Sequence, residues 1–174
     1  MKNNWYVITG APSSGKTTII ELLKKRGFDV VYEMARLYID QEVQKGKTIE
    51  EIRKDEALFQ RKILDLKINC EKNLSKNKVT FLDRGIPDSD AYNNLYGISN
   101  DDFLKEAIKK SSYKKVFLLD LLDYKEDYAR IETREQQKQI HDLLEESYGK
   151  INTTIINVPV MPPEERVDFI LKNL

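Results

Sequence analysis

Gly10-Ala11-Pro12-Ser13-Ser14-Gly15-Lys16-Thr17 fits the pattern G-x-x-x-x-G-K-[ST] in full, with Thr18 directly behind it. An apolar run precedes these residues and a helical pattern follows, which is the context this pattern requires. Glycines at both ends let successive backbone N–H groups turn inward, and no Cβ blocks a phosphate's approach. The helix starting near Lys16 adds its positive end to the anion site. Lys16 can bridge the β- and γ-phosphates, and the Thr17 hydroxyl can ligate Mg²⁺. The chemistry specified is the binding of a nucleoside triphosphate.

Three further clusters could act on that nucleotide. Phe81-Leu82-Asp83-Arg84-Gly85 places an acid at the C-terminal end of another apolar run, where ligands gather in an open α/β sheet. Asp83 could hold Mg²⁺ through water, accept a proton from an attacking hydroxyl, or both. Glu33 and Arg36 are three apart and share a face if a helical turn begins there. A carboxylate and a guanidinium at a strand end suit a polar acceptor bearing hydroxyl or phosphate groups. Arg130 and Arg134 are four apart in a charge-dense stretch, and two arginines on one helical turn can both point at a triphosphate. A lid of this kind, at about residues 123–136, would also exclude water. The loop Asn157-Val158-Pro159-Val160 flanks the base in this architecture, although packing explains it equally well.

Other residues read as structural. Cys70 and Tyr148 fall on inner helical faces, His141 lies beside one, and Arg61, Lys62, Lys67, Lys72, Lys76 and Lys78 alternate with acids as a solvated face.

The elements that must position these residues alternate in type. Strands are expected at Trp5 to Thr9, Phe28 to Tyr32, Val79 to Leu82, Val116 to Leu119 and Ile151 to Val158. Thr17 to Lys25 forms a helix stopped by Arg26 and Gly27. Thr48 to Glu51 has capping-box form and opens a long helix with Ile52, Phe59, Ile63, Leu66 and Cys70 on one face. Ser99 or Asn100 caps a helix with Phe103, Ala107 and Ile108 inside. Ile140, Leu143, Leu144 and Tyr148 mark another inner face, and Pro162-Pro163 precedes a last helix carrying Val167, Ile170 and Leu171. Short β-rich runs without clean alternation, each followed by a helix, indicate a parallel sheet covered on both faces. Residues 1–174 therefore read as one three-layer α/β domain.

Composition closes off other classes. Among 174 residues, 29 Lys+Arg balance 29 Asp+Glu, which argues against sequence-independent nucleic-acid binding. One Cys and one His exclude an internal disulfide and a zinc cluster. No window approaches the roughly 18 apolar residues of a membrane span. The opening residues lack a cleavable signal pattern, so the expected compartment is the cytoplasm.

The phosphate loop, Val31-Tyr32-Glu33-Met34-Ala35-Arg36, Asp83-Arg84-Gly85, Arg130-Ile131-Glu132, Tyr148 and Glu165-Arg166-Val167 together resemble the P-loop small-molecule kinases. More narrowly, the chain is similar to the AAA-type ATPase/kinase family that includes the ribosylnicotinamide-kinase domain of bifunctional NAD-biosynthesis regulators. The resemblance implies a five-stranded sheet of order 2-3-1-4-5, Mg-ATP as donor and a small-molecule acceptor. No nucleic-acid or membrane partner is expected, and a homodimer is left open.

The leading expectation is an ATP- and Mg-dependent phosphotransferase acting on a nucleoside-like or other hydroxyl or phosphate acceptor. In it Asp83 or Glu33 is the base, Glu33, Arg36 and Arg84 hold the acceptor, and Lys16, Arg130 and Arg134 neutralise the moving phosphoryl group. The alternative is a nucleotide-hydrolysing ATPase or GTPase switch that acts through a partner. Against a guanine switch, Asn77-Lys78-Val79-Thr80 lacks the Asp of Asn-Lys-x-Asp and precedes the third strand.

Overall fold

A computed structural model describes residues 3–122 and 133–174. Five parallel strands form one sheet in the order β2-β3-β1-β4-β5: β1 Trp5–Gly10, β2 Asp29–Val31, β3 Thr80–Asp83, β4 Lys115–Leu119 and β5 Thr154–Val158. The class, the strand count and the order expected above are all present.

Alternation along β1 divides the core. Tyr6 and Ile8 point to one face, where Phe81, Phe117 and Val158 meet helices α1 (Lys16–Lys25) and α8 (Pro163–Lys172) through Ile19, Leu23, Val167 and Ile170. Trp5 and Val7 point to the other, against α5 (Pro87–Leu95) and α7 (Arg134–Gly149) through Ala91, Ile140, Leu144 and Tyr148. Both faces of the strands are thus removed from water, the condition that favours an all-parallel sheet. Tyr6 stacks on Phe81 with ring centroids 5.4 Å apart, fixing β1 beside β3.

Two elements differ from expectation. The Thr48/Glu51 capping box forms, but it starts only a four-residue helix, α3 (Ile49–Ile52). The chain breaks at residues 53–55, and Asp55, accepting from the Leu58 amide, caps the separate α4 (Glu56–Asn73). A second cap within a turn of the first helix's end outcompetes continuation. The helix before β4, α6 (Asp102–Lys110), is capped by Asp101 and not by Ser99 or Asn100. Its buried side chains are Leu104 and Ile108, whereas Phe103 is exposed and lies under the Arg61 guanidinium at 4.0 Å. The one-residue shift of the cap rotates the face inward by one position. Two helices had no clear apolar signal and were not expected: α2 (Met34–Gln44) and α5.

Among the described residues, no helix is long and apolar enough to cross a membrane.

Candidate active site

Parallel strands all end on one side of the sheet, so loops far apart in sequence meet there. The register sets Ile8 of β1 beside Asp83 of β3 and Gly10 beside Leu119 of β4. The phosphate loop therefore leaves β1 directly next to Asp83.

Gly10 has a φ of 152° and its backbone is hemmed in: a Cβ there would stand 2.7 Å from Ser14 Oγ and 2.9 Å from the Leu119 carbonyl. Glycine is required by space as well as by angle. Gly15 precedes α1 in a left-handed conformation and no side chain caps that helix, so its first amides are left for an anion. Lys16 is 2% exposed and curls over its own loop, donating to the carbonyls of Gly10 (3.0 Å) and Ala11 (2.8 Å). Thr17 and Thr18 in the first turn of α1 are exposed.

Asp83 is buried, and its Oδ1 has no hydrogen-bond partner among the described residues. Burial pushes its carboxyl up to about 7, with Glu33 adding to the rise while Lys16 and Arg84 oppose it. A buried acceptor oxygen left unmatched beside a phosphate loop is what a hydrated divalent cation would satisfy. The residues present thus fit Mg²⁺ held by Asp83 and Thr17.

Next to the loop lies a cleft with about 590 Å³ of empty space, counting its open mouth. Pro12 of the phosphate loop, Glu33, Arg36 and Arg84 are among the residues that line it. Glu33 directly precedes α2 and Arg36 lies in that helix's first turn, so the helical turn their spacing required is present. Asp83 is not on the cleft wall, whereas Glu33 is. Arg84 is buried, with φ at 71°, and its guanidinium reaches Glu33 (3.3 Å), Asp88 (2.8 Å), the Gly10 carbonyl (3.2 Å) and the Tyr92 hydroxyl (3.0 Å). Burial works against its charge, but Tyr92, Glu33, Asp88 and Asp83 more than reverse this, raising it well above the usual guanidinium value.

The sequence singled out no residue of the remaining wall as a site residue. Arg53, Phe59, Gln60, Ile63 and Lys67, together with Tyr92, line it. Lys67 is the clearest correction: it is 6% exposed and not part of a solvated face, while Arg61, Lys62, Lys72, Lys76 and Lys78 are exposed as expected. The signal was available, because Gln60, Ile63 and Lys67 follow i, i+3, i+7 and share the buried stripe of α4.

The arginine expectations divide. Arg130 lies outside the described residues, as does most of the lid segment at 123–136. Arg134 is exposed and opens α7. Thr133 is extended and caps that helix in a capping box with Gln136, so Arg134 is its first residue.

A model of the AAA domain family matches residues 5–166. The chain belongs to the AAA domain family. No curated protein matches its sequence. Solved structures with a similar fold include the deoxyadenosine kinase of M. mycoides with bound dATP (17% identity, TM-score 0.71), where the alignment covers 97% of this chain and 98% of that one. NadR in complex with NR aligns at 14% identity and TM-score 0.70 over 97% of this chain and 50% of that one. The thymidylate kinase of Candida albicans aligns at 15% identity and TM-score 0.60 over 99% and 91%.

Within this AAA domain, Arg166 ties the strand ends together. It is 2% exposed and donates to the carbonyls of Ser14 (2.7 Å), Pro159 (2.9 Å) and Asp120 (3.3 Å). One guanidinium thus braces the phosphate loop against the loops after β4 and β5. Tyr148 is buried as expected, but its hydroxyl accepts from the Gly85 amide at 2.9 Å. Tyr113 likewise accepts from the Ile86 amide at 2.9 Å. Gly85 sits beneath both oxygens, and a Cβ there would come within 2.8 Å of Tyr113 and 2.9 Å of Tyr148.

Proposed function

We propose that this AAA domain is an ATP- and Mg-dependent phosphotransferase that moves the γ-phosphoryl group to a hydroxyl of a small, nucleoside-like acceptor. The observation that carries the reading is the cleft shared by Pro12 of the phosphate loop with Glu33, Arg36 and Arg84. Hydrolysis or nucleotide switching needs no second small-molecule cleft at that position. The nucleoside and nucleotide kinases that share the fold support the same class.

In this mechanism the phosphate loop and Lys16 hold the triphosphate, with Mg²⁺ held by Thr17 and Asp83 to offset charge on the phosphates. Glu33, on the cleft wall, accepts the proton of the acceptor hydroxyl as its oxygen bonds to the γ-phosphorus. The bond from that phosphorus to the β-bridging oxygen breaks, ADP leaves, and Glu33 later returns the proton to water. Asp83 is too enclosed to meet the acceptor, which divides the two acids between base and metal support. Arg36 and Arg84 orient the acceptor, and Arg130 and Arg134 remain the candidates for neutralising the transferred group. Phe59 and Tyr92 supply apolar lining for the acceptor, with Gln60 and Lys67 as polar contacts.

Coupled ADP release across nucleosides and ribosides tests this. The expected result is turnover that rises with one acceptor class and depends on Mg²⁺. Tight ATP binding with no acceptor-stimulated turnover across the panel would rule out the kinase reading in favour of an NTPase.

A further inference from the structure

Arg84 is held in a conformation that its own backbone resists. A φ of 71° is the left-handed region, which a non-glycine residue keeps only where the surroundings enforce it. The enforcement comes from two side chains. Asp88, 0% exposed, accepts from Arg84 Nη1 (2.8 Å) and Thr9 (2.8 Å) on one oxygen and from the Gly85 amide (3.0 Å) on the other. Tyr148 donates to that second oxygen at 2.5 Å and accepts from the same Gly85 amide at 2.9 Å. Its hydroxyl therefore closes a ring of hydrogen bonds over the residue following Arg84. Burial keeps the phenol far above its usual range, so the proton needed for this donation is retained.

Tyr148 lies 63 residues from Gly85 in sequence, near the C-terminal end of α7. Its neighbour Ser147 donates to Asp90 at 2.6 Å, as does Lys150. These two contacts join α7 to α5 without touching the turn, so packing of the two helices has its own polar ties. The Tyr148 hydroxyl is not needed for that purpose.

We infer that Tyr148 is a positioning residue: through Asp88 and the Gly85 amide its hydroxyl sets the direction of the Arg84 guanidinium on the wall of the acceptor cleft. The inference rests on the phosphotransfer reading for its kinetic consequence, while its structural half stands apart. Removing the hydroxyl leaves Asp88 one donor short and loosens the carboxylate that Arg84 Nη1 donates to. An active-site group displaced by about 1 Å can cost as much as 10² in rate.

The test compares Tyr148→Phe with Ser147→Ala in the full chain. Both remove one buried hydroxyl from the α5/α7 contact, and only the first touches the turn. Tyr148→Phe is expected to lower kcat/KM for the acceptor about tenfold or more with KM for ATP within twofold, and Ser147→Ala to leave both unchanged. In an Arg84→Ala background, Tyr148→Phe should cost less than about twofold more, because coupled residues are not additive. Nitrogen-15 arginine labelling, with Arg84→Lys to assign the signal, reads hydrogen exchange at Arg84 Nε. Exchange should accelerate in Tyr148→Phe and stay unchanged in Ser147→Ala. Unchanged Nε exchange in Tyr148→Phe overturns the inference whatever the kinetics do, and so does a full additional loss in the Arg84→Ala background. If the unmodified protein phosphorylates no acceptor, the phosphotransfer reading fails, and the exchange measurement alone decides the positioning role.

Discussion

Lys67 Nζ donates to Ser89 Oγ at 3.2 Å across 22 residues of sequence, and no carboxylate lies within ion-pair distance of it among the described residues. Burial pulls this ammonium below its usual range despite attraction from Asp88, Glu33 and Glu71. A cation kept dry on the wall of a cleft destabilises the protein alone and repays that cost by contacting a ligand. Lys67→Met is expected to raise stability by about 1–2 kcal/mol in urea titrations. The same variant should raise KM for the acceptor and leave KM for ATP unchanged. An unaltered acceptor KM would remove Lys67 from the binding wall.

Glu33 and Asp83 should separate by kinetics. Glu33→Gln keeps size and hydrogen-bonding capacity but cannot take a proton, so kcat is expected to fall about 10²–10⁴-fold with ATP affinity intact. Asp83→Asn should instead weaken Mg²⁺ binding, shifting the Mg²⁺ concentration for half-maximal turnover upward. In the unliganded protein it should not destabilise, since the buried oxygen it alters has no partner. Chelation of Mg²⁺ should stop turnover in the unmodified enzyme.

Glu71 makes a pH-dependent contribution to stability. Burial raises its carboxyl to about 7, against smaller opposing effects of the Tyr113 hydrogen bond and Lys67. The folded state then holds a proton that the unfolded state releases at about 4.5, so stability declines as pH rises from about 4.5 to about 7 and this contribution is flat above that. The whole effect is at most about 3 kcal/mol. Glu71→Gln, which still accepts from Tyr113, should flatten the slope in thermal melts across that window. An identical slope in both proteins would count against the buried carboxyl as its source.

Gly85→Ala forces a methyl against two tyrosine oxygens at 2.8 and 2.9 Å. Overpacking of this kind typically costs about 1–3 kcal/mol. Tyr148→Phe in the same chain removes only one of the two clashes, so it should recover part of the loss. Chemical denaturation of the single and double variants measures both.

How much could be read in advance follows from how local each feature is. The phosphate loop is eight consecutive residues whose turn, backbone angles and helix start depend on near neighbours, so its pattern was sufficient. The strand runs and the balance of apolar faces led to the correct α/β class. By contrast, the Thr48/Glu51 box is a genuine helix start that says nothing about where the helix stops. The Asp55 cap a few residues later ended it. Lys67 was placed on a solvated face because neighbouring lysines there alternate with acids, and only its position in the buried stripe of α4 contradicts this. Tyr148 was assigned to the core, correctly by burial, but the reach of its hydroxyl depends on a turn 63 residues away.

The sequence alone determined a glycine-rich loop of the phosphate-binding pattern between a strand and a helix, and acids and an arginine near the strand ends. Local backbone chemistry suffices for that. Only the tertiary structure decided which acid reaches the cleft, because Glu33 lies on its wall and Asp83 is enclosed beneath the loop. It also decided that one wall of the cleft is drawn from α4, with Lys67 inward, and that Arg84 meets Asp88, which Tyr148 also contacts. These relationships join elements distant in the chain, and packing of α4, α5 and α7 against the sheet sets them. No short-range pattern encodes the direction in which a buried side chain meets its partner.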